Sequence, residues 1–304
     1  MNRDFTDYLT DIRDPRLFFL CQKSQNLAYA WKQLQLIREK ELLEPENIRE
    51  MRRLEFIGSN AVNCTDIANK QAVVTKWIKN MMYQETDATY LYLYSSNPDF
   101  MKRHLIVTGD TKILGSDMKN TIFFSPHWGD YYSLPVVLAS MGVLNIPLAN
   151  GDEGNHMRSI IETLKPEVKE KMPRILDTSN PYRALQELDI SLRNEQNVVV
   201  FPEFTIGSKP KYNTKYFGTS FPVAHGVPAL AKRNKSKLVP ITIERVDEEP
   251  HFELRVYSPL KNIDELSIDQ ISEKIHKKIN EIVSMKPEKW WYWNIFDKNK
   301  VSEQ

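Results

Sequence analysis

The spacing of apolar residues changes near residue 105 of the chain. Before that point apolar residues recur at every third or fourth position, the period of an amphipathic helix, which predicts helices over 18–37, 46–67 and 72–83. After it, short apolar runs alternate with amphipathic stretches, as they do where strands alternate with helices. The pattern predicts an N-terminal helical extension over 1–104 that packs on an α/β core over 105–304, the two forming one integrated domain.

The short apolar runs of the second part predict the strands of a central sheet, at 105–108, 121–124, 144–148, 175–177, 197–201, 238–243 and 252–256. The stretches between them predict helices, at 131–139, 156–170, 181–193, 227–232 and 268–284. The run at 197–201 is apolar after its first residue, which indicates a strand buried on both faces. The predicted fold class is therefore α/β, with a mixed, mostly parallel central sheet flanked by helices.

The composition narrows the classes of function. Of 304 residues 41 are basic and 40 acidic, and this balance argues against a nucleic-acid partner, which would favour a basic protein. The two cysteines, Cys21 and Cys64, lack metal-ligand spacing and suit a reducing compartment. The N-terminus lacks the pattern of a signal peptide, and no stretch approaches about 18 apolar residues. We therefore expect a cytoplasmic protein, with peripheral contact at the inner membrane left open.

The most suggestive polar residues follow the predicted strand at 121–124. Pro126 ends that strand, so His127 stands at its C-terminal tip, where open α/β sheets place their chemistry. Histidine is the usual general base near neutral pH, and a carboxylate such as Asp130, three residues later, can orient it. His127 and Asp130 are therefore candidate catalytic residues. The alternative is a structural histidine that caps the end of the strand.

A second polar segment follows the predicted strand at 197–201. Glu203 comes directly after Pro202 at the same predicted edge of the sheet, where a carboxylate could orient a substrate amine or hydroxyl. Lys209 and Lys211 follow and are candidates for binding a phosphate as point charges. The alternative is a solvated, charged loop.

A third segment contains Gly218 and Gly226, which bracket a turn before the helix predicted at 227–232. The N-terminus of a helix is a favourable place for an anion. The segment carries no Walker-type or dinucleotide glycine pattern, so a nucleotide cofactor is not predicted.

Five blocks stand in one order along the second part of the chain: His127-Trp128-Gly129-Asp130-Tyr131-Tyr132, Val198-Val199-Val200-Phe201-Pro202-Glu203, Tyr216-Phe217-Gly218, Leu238-Val239-Pro240-Ile241 and Lys286-Pro287-Glu288-Lys289-Trp290-Trp291-Tyr292-Trp293. Together they resemble the lysophospholipid acyltransferase superfamily. Within it they look most like the bacterial lipid A biosynthesis acyltransferases, the lauroyl and myristoyl transferases. The resemblance extends over residues 105 to 296.

The resemblance implies direct acyl transfer. His127 would remove a proton from an acceptor hydroxyl or amine, which then attacks a thioester on coenzyme A or on a phosphopantetheinyl acyl carrier protein. No bound cofactor, metal or covalent acyl-enzyme is implied. Backbone amides near Gly129 or Gly218 are candidates for binding the oxyanion. Arg158 stands where the family has a basic residue on the acceptor side and could bind a carboxylate or phosphate, although it fits an ordinary surface arginine equally well.

The chain departs from the family pattern at Tyr132. The family separates its catalytic histidine from an acid by four residues, and here that position is Tyr132, which cannot be an ionised partner at neutral pH and is assigned to substrate binding instead. Three alternatives follow: Asp130 takes the role of the acid, Glu203 supplies the charge, or the standard mechanism is lost.

Two further hypotheses about function follow from the same departure. One is an accessory protein that binds an acyl chain or a carrier protein without catalysis. The other is a thioester hydrolase, although the chain has no Gly-x-Ser-x-Gly elbow of a serine hydrolase. The family's N-terminal membrane anchor and basic ending are not matched, which favours a more soluble acceptor, either a specialised metabolite or a carrier-bound intermediate.

Overall fold

The computed structural model describes residues 43–94, 98–115, 118–149, 161–162, 166–172, 174–203, 212–246 and 251–296, with isolated residues at 32, 36, 39, 40 and 158. All of the helix predicted at 18–37 except residues 32 and 36, and seven of the fifteen residues of the one predicted at 156–170, therefore lie outside the described residues. So do Lys209 and Lys211, the predicted phosphate-binding lysines.

Among the described residues three helices precede the sheet: α1 (Pro45–Asn63), α2 (Lys70–Tyr94) and α3 (Pro98–His104). α1 and α2 approach closely at Gly58, where a Cβ would lie 2.7 Å from Cζ3 of Trp77. The buried face of these two helices, including Leu54 and Trp77, belongs to the same apolar cluster as side chains of the sheet. The division of the chain at residue 105 stays a prediction, and the helices before it share a core with the residues after it.

The central sheet has seven strands among the described residues. In chain order the strands of the molecule are β1 (Leu105–Gly109), β2 (Thr121–Phe124), β3 (Asn145–Ala149), β4 (Leu176–Asp177), β5 (Asn197–Val200), β6 (Tyr212–Tyr216), β7 (Thr219–Val223), β8 (Lys237–Arg245) and β9 (Phe252–Val256). The order in the sheet is β1-β9-β8-β2-β5-β3-β4. Every neighbouring pair is parallel except β8 with β9. The predicted mixed, mostly parallel sheet is confirmed.

Side chains of the central strands point alternately into two apolar clusters. In β2, Phe124 belongs to one cluster and Phe123 to the other, and in β5 Val200 and Val199 divide in the same way. All four residues are at most 2% exposed. Successive residues of a strand face opposite sides of the sheet, so burial on both sides accounts for the continuous apolar runs in the sequence.

In the described part of the chain, five helices follow the first strands: α4 (Leu134–Ser140), α5 (Pro166–Lys169), α6 (Pro181–Arg193), α7 (Gly226–Asn234) and α8 (Ile268–Met285). α8 starts with a capping box, in which the side chains of Ser267 and Gln270 each bond the backbone N–H of the other. Its apolar stripe, which includes Ile275 and Ile279, packs in the same cluster as α1 and α2. Within the part of the chain described, no helix combines the length and apolarity needed to cross a membrane.

The antiparallel hairpin of β6 and β7 differs from the sequence prediction. The pattern predicts only a turn between Gly218 and Gly226 in this region. The hairpin turn consists of Phe217 and Gly218, which both have positive φ, at 49° and 80°. Such turns match the twist of the two strands they connect, and glycine adopts the second position without strain. The predicted start of a helix near residue 227 is confirmed by α7.

Candidate active site

Two neighbouring parallel strands bring His127 and Glu203 together. β2 and β5 pair with Phe124 opposite Val200. His127 follows Phe124 by three residues, and Glu203 follows Val200 by three. Both side chains therefore lie beyond the same edge of the sheet, the edge at which open α/β sheets bind their ligands.

The Glu203 carboxylate contacts His127 at two points. Its Oε2 lies 2.5 Å from Nδ1 of the imidazole and accepts a 2.6 Å hydrogen bond from the backbone N–H of His127. The Glu203 side chain is fully buried, and that of His127 is 12% exposed. A carboxylate at Nδ1 favours the tautomer in which Nδ1 carries the proton and Nε2 carries a lone pair. Nε2 is then the nitrogen that can take a proton from a substrate.

The other oxygen of Glu203 is held by Trp290. The indole Nε1 of Trp290 donates a 2.6 Å hydrogen bond to Oε1 of Glu203, and both residues are at most 2% exposed. Hydrogen bonds to both oxygens fix the carboxylate in place and compensate for its burial. The sequence pattern places Trp290 in the C-terminal block and predicts no role for it at the site. The signal that could have identified it is its place in a block that follows, in a fixed order, the blocks of His127 and Glu203.

Backbone pairing holds the C-terminal block against the histidine loop. Trp128 and Trp290 form an antiparallel bridge, and the backbone N–H of Trp291 donates 2.8 Å to the carbonyl oxygen of His127. The backbone N–H of Gly129 donates 3.0 Å to the carbonyl of Lys289. The indole of Trp128 adds a 3.0 Å bond to the carbonyl of Lys286. The segments around residues 127 and 290 therefore form one unit.

Aromatic rings surround the imidazole of His127. The ring centroids of Tyr131 and Phe201 lie 4.8 and 4.9 Å away, and that of Trp291 lies 5.9 Å away. These rings reduce the contact of the histidine with water. A shielded imidazole paired with a buried carboxylate is suited to moving a proton within a dry site.

Asp130 lies in a different cluster from the His127 pair. Its backbone N–H donates 2.9 Å to the carbonyl of Ile243. Burial raises the pKa of its carboxyl to about 6, although the nearby cations Lys289 and Arg245 act in the opposite direction. The geometry therefore gives Glu203 the contact with His127 and places Asp130 with the charges at the end of β8. Of the three alternatives for the missing acid, the arrangement matches the one that uses Glu203.

The backbone amides of the histidine loop are already engaged. The N–H of His127 donates to Glu203, that of Trp128 to the carbonyl of Pro126, and that of Gly129 to Lys289. The N–H of Asp130 donates to Ile243, as described above. Each of these four amides donates to an acceptor within the protein, and an oxyanion site near Gly129 or Gly218 stays a prediction.

Two other predicted binding residues lie in well-defined surroundings. Tyr132 is half-buried in a short 3₁₀ helix (Tyr131–Ser133), and its ring packs edge-on to that of Tyr131, with centroids 6.4 Å apart. Gly218 lies at the tip of the β6–β7 hairpin, where a Cβ would be 4.0 Å from Oδ2 of Asp66. The next residue, Thr219, donates 3.1 Å to the carbonyl of Cys64 at the end of α1. The turn around Gly218 thus faces the connection between α1 and α2.

Arg158 lies on the surface near the end of β4. The pKa of Asp177 is lowered mainly by hydrogen bonds from Ser179, and the charges of Arg158 and Arg183 contribute further. Arg158 is exposed. Among the residues described, no group of three histidine, cysteine or acidic side chains is arranged to hold a metal ion.

Comparison with known proteins gives one family match. Residues 159–295 match the family model described as bacterial lipid A biosynthesis acyltransferase, a range that contains Glu203 and Trp290 and begins after His127. Among curated proteins none matches the chain. A solved structure that resembles it is the crystal structure of the 1-acyl-sn-glycerophosphate (LPA) acyltransferase, PlsC, from Thermotoga maritima, with 17% identity, a TM-score of 0.36, and coverage of 66% of this chain and 83% of that one. Over residues 159–295 the chain is thus similar to the bacterial lipid A biosynthesis acyltransferases, the group that the sequence blocks resemble.

Proposed function

We propose that this protein is an acyltransferase that moves an acyl group from a thioester donor to a hydroxyl or amine acceptor. His127 is the general base and Glu203 orients it. The observation that carries the proposal is the contact of 2.5 Å between Nδ1 of His127 and Oε2 of Glu203, with the second carboxylate oxygen bonded to Trp290. The family match over residues 159–295 supports acyl transfer as the class of reaction.

The geometry supports a direct transfer. Nε2 of His127 takes the proton from the acceptor O–H or N–H as the oxygen or nitrogen attacks the thioester carbonyl carbon. The C–S bond then breaks, and the leaving thiolate receives the proton from the imidazolium. The buried carboxylate of Glu203 stabilises the imidazolium between these two steps, since an opposite charge in contact favours the charged form.

The donor we propose is coenzyme A or a phosphopantetheinyl acyl carrier protein, because both present the acyl group as a thioester. No cofactor takes part in the proposed steps. The acceptor is a small molecule or a carrier-bound intermediate. Glu203 supplies the carboxylate that the family pattern would place at Tyr132, and this is why we prefer catalysis to a purely accessory role.

The test is a thiol-release assay with acyl-CoA and acyl carrier protein across a panel of amines and alcohols, with products identified by mass spectrometry. Wild-type protein should release thiol only when an acceptor is present and should form the acylated acceptor. His127→Ala should lose at least about 100-fold of this activity. The matched control is His251→Ala, a half-buried histidine whose ring lies 5.4 Å from that of His104.

Three results would contradict the proposal in different ways. Near-normal transfer by His127→Ala would remove the histidine mechanism. Release of free fatty acid without any acceptor would identify a thioester hydrolase. Tight binding of the thioester with neither transfer nor hydrolysis would identify an accessory protein.

A further inference from the structure

A cavity of about 260 Å³ lies beside the histidine loop, between α2 and the end of β8. α2 lines one wall along a single face, from Lys76 to Asp87. Gly129 and Asp130 line the opposite side, next to Lys289. The cavity opens to solvent at the Lys76 end, because Lys76 and Lys79 are exposed whereas Asp87 is buried.

Two polar atoms of buried residues on the α2 wall lack a hydrogen-bond partner within the described part of the protein. They are Oδ1 of Asp87 and Nε1 of Trp77. Asp87 is 4% exposed and Trp77 1%. A buried acceptor or donor left without a partner costs about 1–3 kcal/mol, so two such groups in the wall of one cavity point to a ligand that satisfies them.

The cations near Asp87 are mostly engaged with other groups. Arg245 donates to the second oxygen of Asp87, with Nε 3.1 Å from Oδ2. Lys289 donates to the carboxylate of Glu244 and to the carbonyl of Arg245, and Lys286 also bonds Glu244. At the inner end of the cavity, Oδ1 of Asp87 is therefore an acceptor without a hydrogen-bond donor among the described residues.

Asp130 places a second carboxyl at the inner end of the cavity. Burial raises the pKa of both Asp87 and Asp130, and the negative charge of Asp130 raises that of Asp87 further. The charges of Arg245 and Lys289 oppose these shifts without cancelling them, so a further cation at this end would favour ionisation of the two carboxyls. An ammonium group supplies that cation and donates the missing hydrogen bond.

The outer end has the opposite charge. Lys76 and Lys79 are exposed at the mouth, and Trp77, whose Nε1 has no acceptor among the described residues, lies between them in the helix. Lys79 and Asp87 are separated by eight residues of helix, or about 12 Å along its axis at 1.5 Å per residue. The side chains of Lys79 and Asp87 extend over part of this distance. A ligand with about five carbon atoms between its two charged groups would span the rest.

We propose that this cavity is a binding site for a small zwitterion, with its ammonium group at Asp87 and Asp130 and its carboxylate or phosphate at Lys76, Lys79 and Trp77. The site is separate from the His127–Glu203 pair. Its occupant would contact the same loop, because Gly129 and Asp130 line the cavity. The inference concerns binding alone and does not depend on the proposed reaction.

The experiment is isothermal titration calorimetry of the full chain with three probes. 6-Aminohexanoate carries both charged groups, whereas hexylamine and hexanoate each lack one. 6-Aminohexanoate should bind at least about tenfold more tightly than either single-charge probe, since each end adds a charge-assisted hydrogen bond. A phosphate-ended amine of the same length distinguishes the two anion types.

Variants assign the two ends of the site. Asp87→Asn and Trp77→Phe should each weaken 6-aminohexanoate about tenfold, and Lys79→Gln should weaken it severalfold. Lys274→Gln, an exposed lysine of α8, is the control and should bind as wild type does. If Asp87→Asn fails to fold, Lys79→Gln still tests the proposal, because that side chain is exposed.

The proposal is overturned by either of two results. One is the absence of binding heat for all probes in a protein that folds normally. The other is binding that Asp87→Asn, Trp77→Phe and Lys79→Gln leave unchanged. Failure here would leave the His127 mechanism untouched, since that mechanism is tested by thiol release.

Discussion

The indole N–H of Trp290 donates a 2.6 Å hydrogen bond to the carboxylate oxygen of Glu203 that does not face His127. The three residues come from distant parts of the sequence and form a chain of contacts through a buried site. The histidine is oriented by the carboxylate, and the carboxylate is oriented by the indole. Trp290, in the C-terminal block, therefore holds the carboxylate that contacts the imidazole of His127.

Trp290→Phe tests this positioning role. The substitution removes the N–H donor, retains an aromatic ring and leaves one oxygen of a buried carboxylate unpaired. Hydrogen bonds to charged groups contribute about 1.5–3 kcal/mol, so we expect kcat to fall roughly tenfold to 100-fold with little change in KM. Steady-state kinetics of acyl transfer measures both constants.

The matched control is Trp293→Phe. Trp293 is fully buried in the same aromatic cluster, but its indole donates 2.7 Å to the backbone carbonyl of Pro287. It should lose stability to a similar degree and keep its kcat. Equal losses of kcat in the two variants would show that Trp290 acts only through packing.

Glu203→Gln and Asp130→Asn distinguish the two carboxylates that the sequence offered as partners of His127. An amide at position 203 cannot stabilise the imidazolium, so transfer should fall by at least about 100-fold. Asp130→Asn should reduce transfer by less than about fivefold, because its carboxyl lies with Lys289 and Arg245. The thiol-release assay compares both with wild type. The reverse order of effects would assign the role of the acid to Asp130.

The buried carboxyl of Asp130 should also make stability depend on pH. Its pKa is raised to about 6 by burial, whereas an unfolded chain has the ordinary value of 3.8. The folded state therefore holds the proton more tightly, and the contribution to stability is present below pH 3.8 and is lost as pH rises through 6. Asp130→Asn removes this loss. The free energy of unfolding of the variant relative to wild type should rise by on the order of 2 kcal/mol from pH 4 to pH 7.

Urea denaturation at several pH values measures this difference. The control is Asp177→Asn, an exposed carboxyl whose pKa is lowered, mainly by hydrogen bonds from Ser179. A lowered pKa gives a contribution that is lost only as pH falls below the ordinary value. This control should therefore show no rise between pH 5 and pH 7. A flat Asp130→Asn profile over the same range would argue against a buried, raised carboxyl.

The fold was largely accessible from the sequence because two-sided burial leaves a strong pattern. The strands β2 (121–124) and β5 (197–200) are buried at every residue, and each is an apolar run after its first residue, Thr121 or Asn197. The hairpin β6–β7 left a weaker pattern, since its first strand, Tyr-Asn-Thr-Lys-Tyr, contains three polar residues of five. Its turn begins with Phe217 at positive φ, a position where Asn or Gly is the usual signal.

The site was harder to predict because its partners are set by strand order. Asp130 is near His127 in sequence, yet Glu203 lies against the imidazole because β5 is the neighbour of β2 in the sheet. The sequence fixes which residues follow each strand but not which strands are adjacent. Trp290 depends on a still longer connection, since a backbone bridge between Trp128 and Trp290 aligns the C-terminal block.

Gly129 allows the histidine loop to approach β8, and Gly129→Ala should disrupt this approach. A Cβ there would lie 2.4 Å from the carbonyl oxygen of Ile243, and φ is +60°, which side chains other than glycine adopt at a cost. Gly142→Ala is the control, because Gly142 has φ of +85° but no atom within 4 Å of a Cβ. We expect Gly142→Ala to lose about 1 kcal/mol from backbone strain alone and Gly129→Ala to lose more than about 2 kcal/mol, measured by urea denaturation. Acyl transfer should fall only in Gly129→Ala, because moving the loop away from β8 displaces His127 from Glu203. Similar stability losses in the two variants would show that β8 yields to the added methyl group.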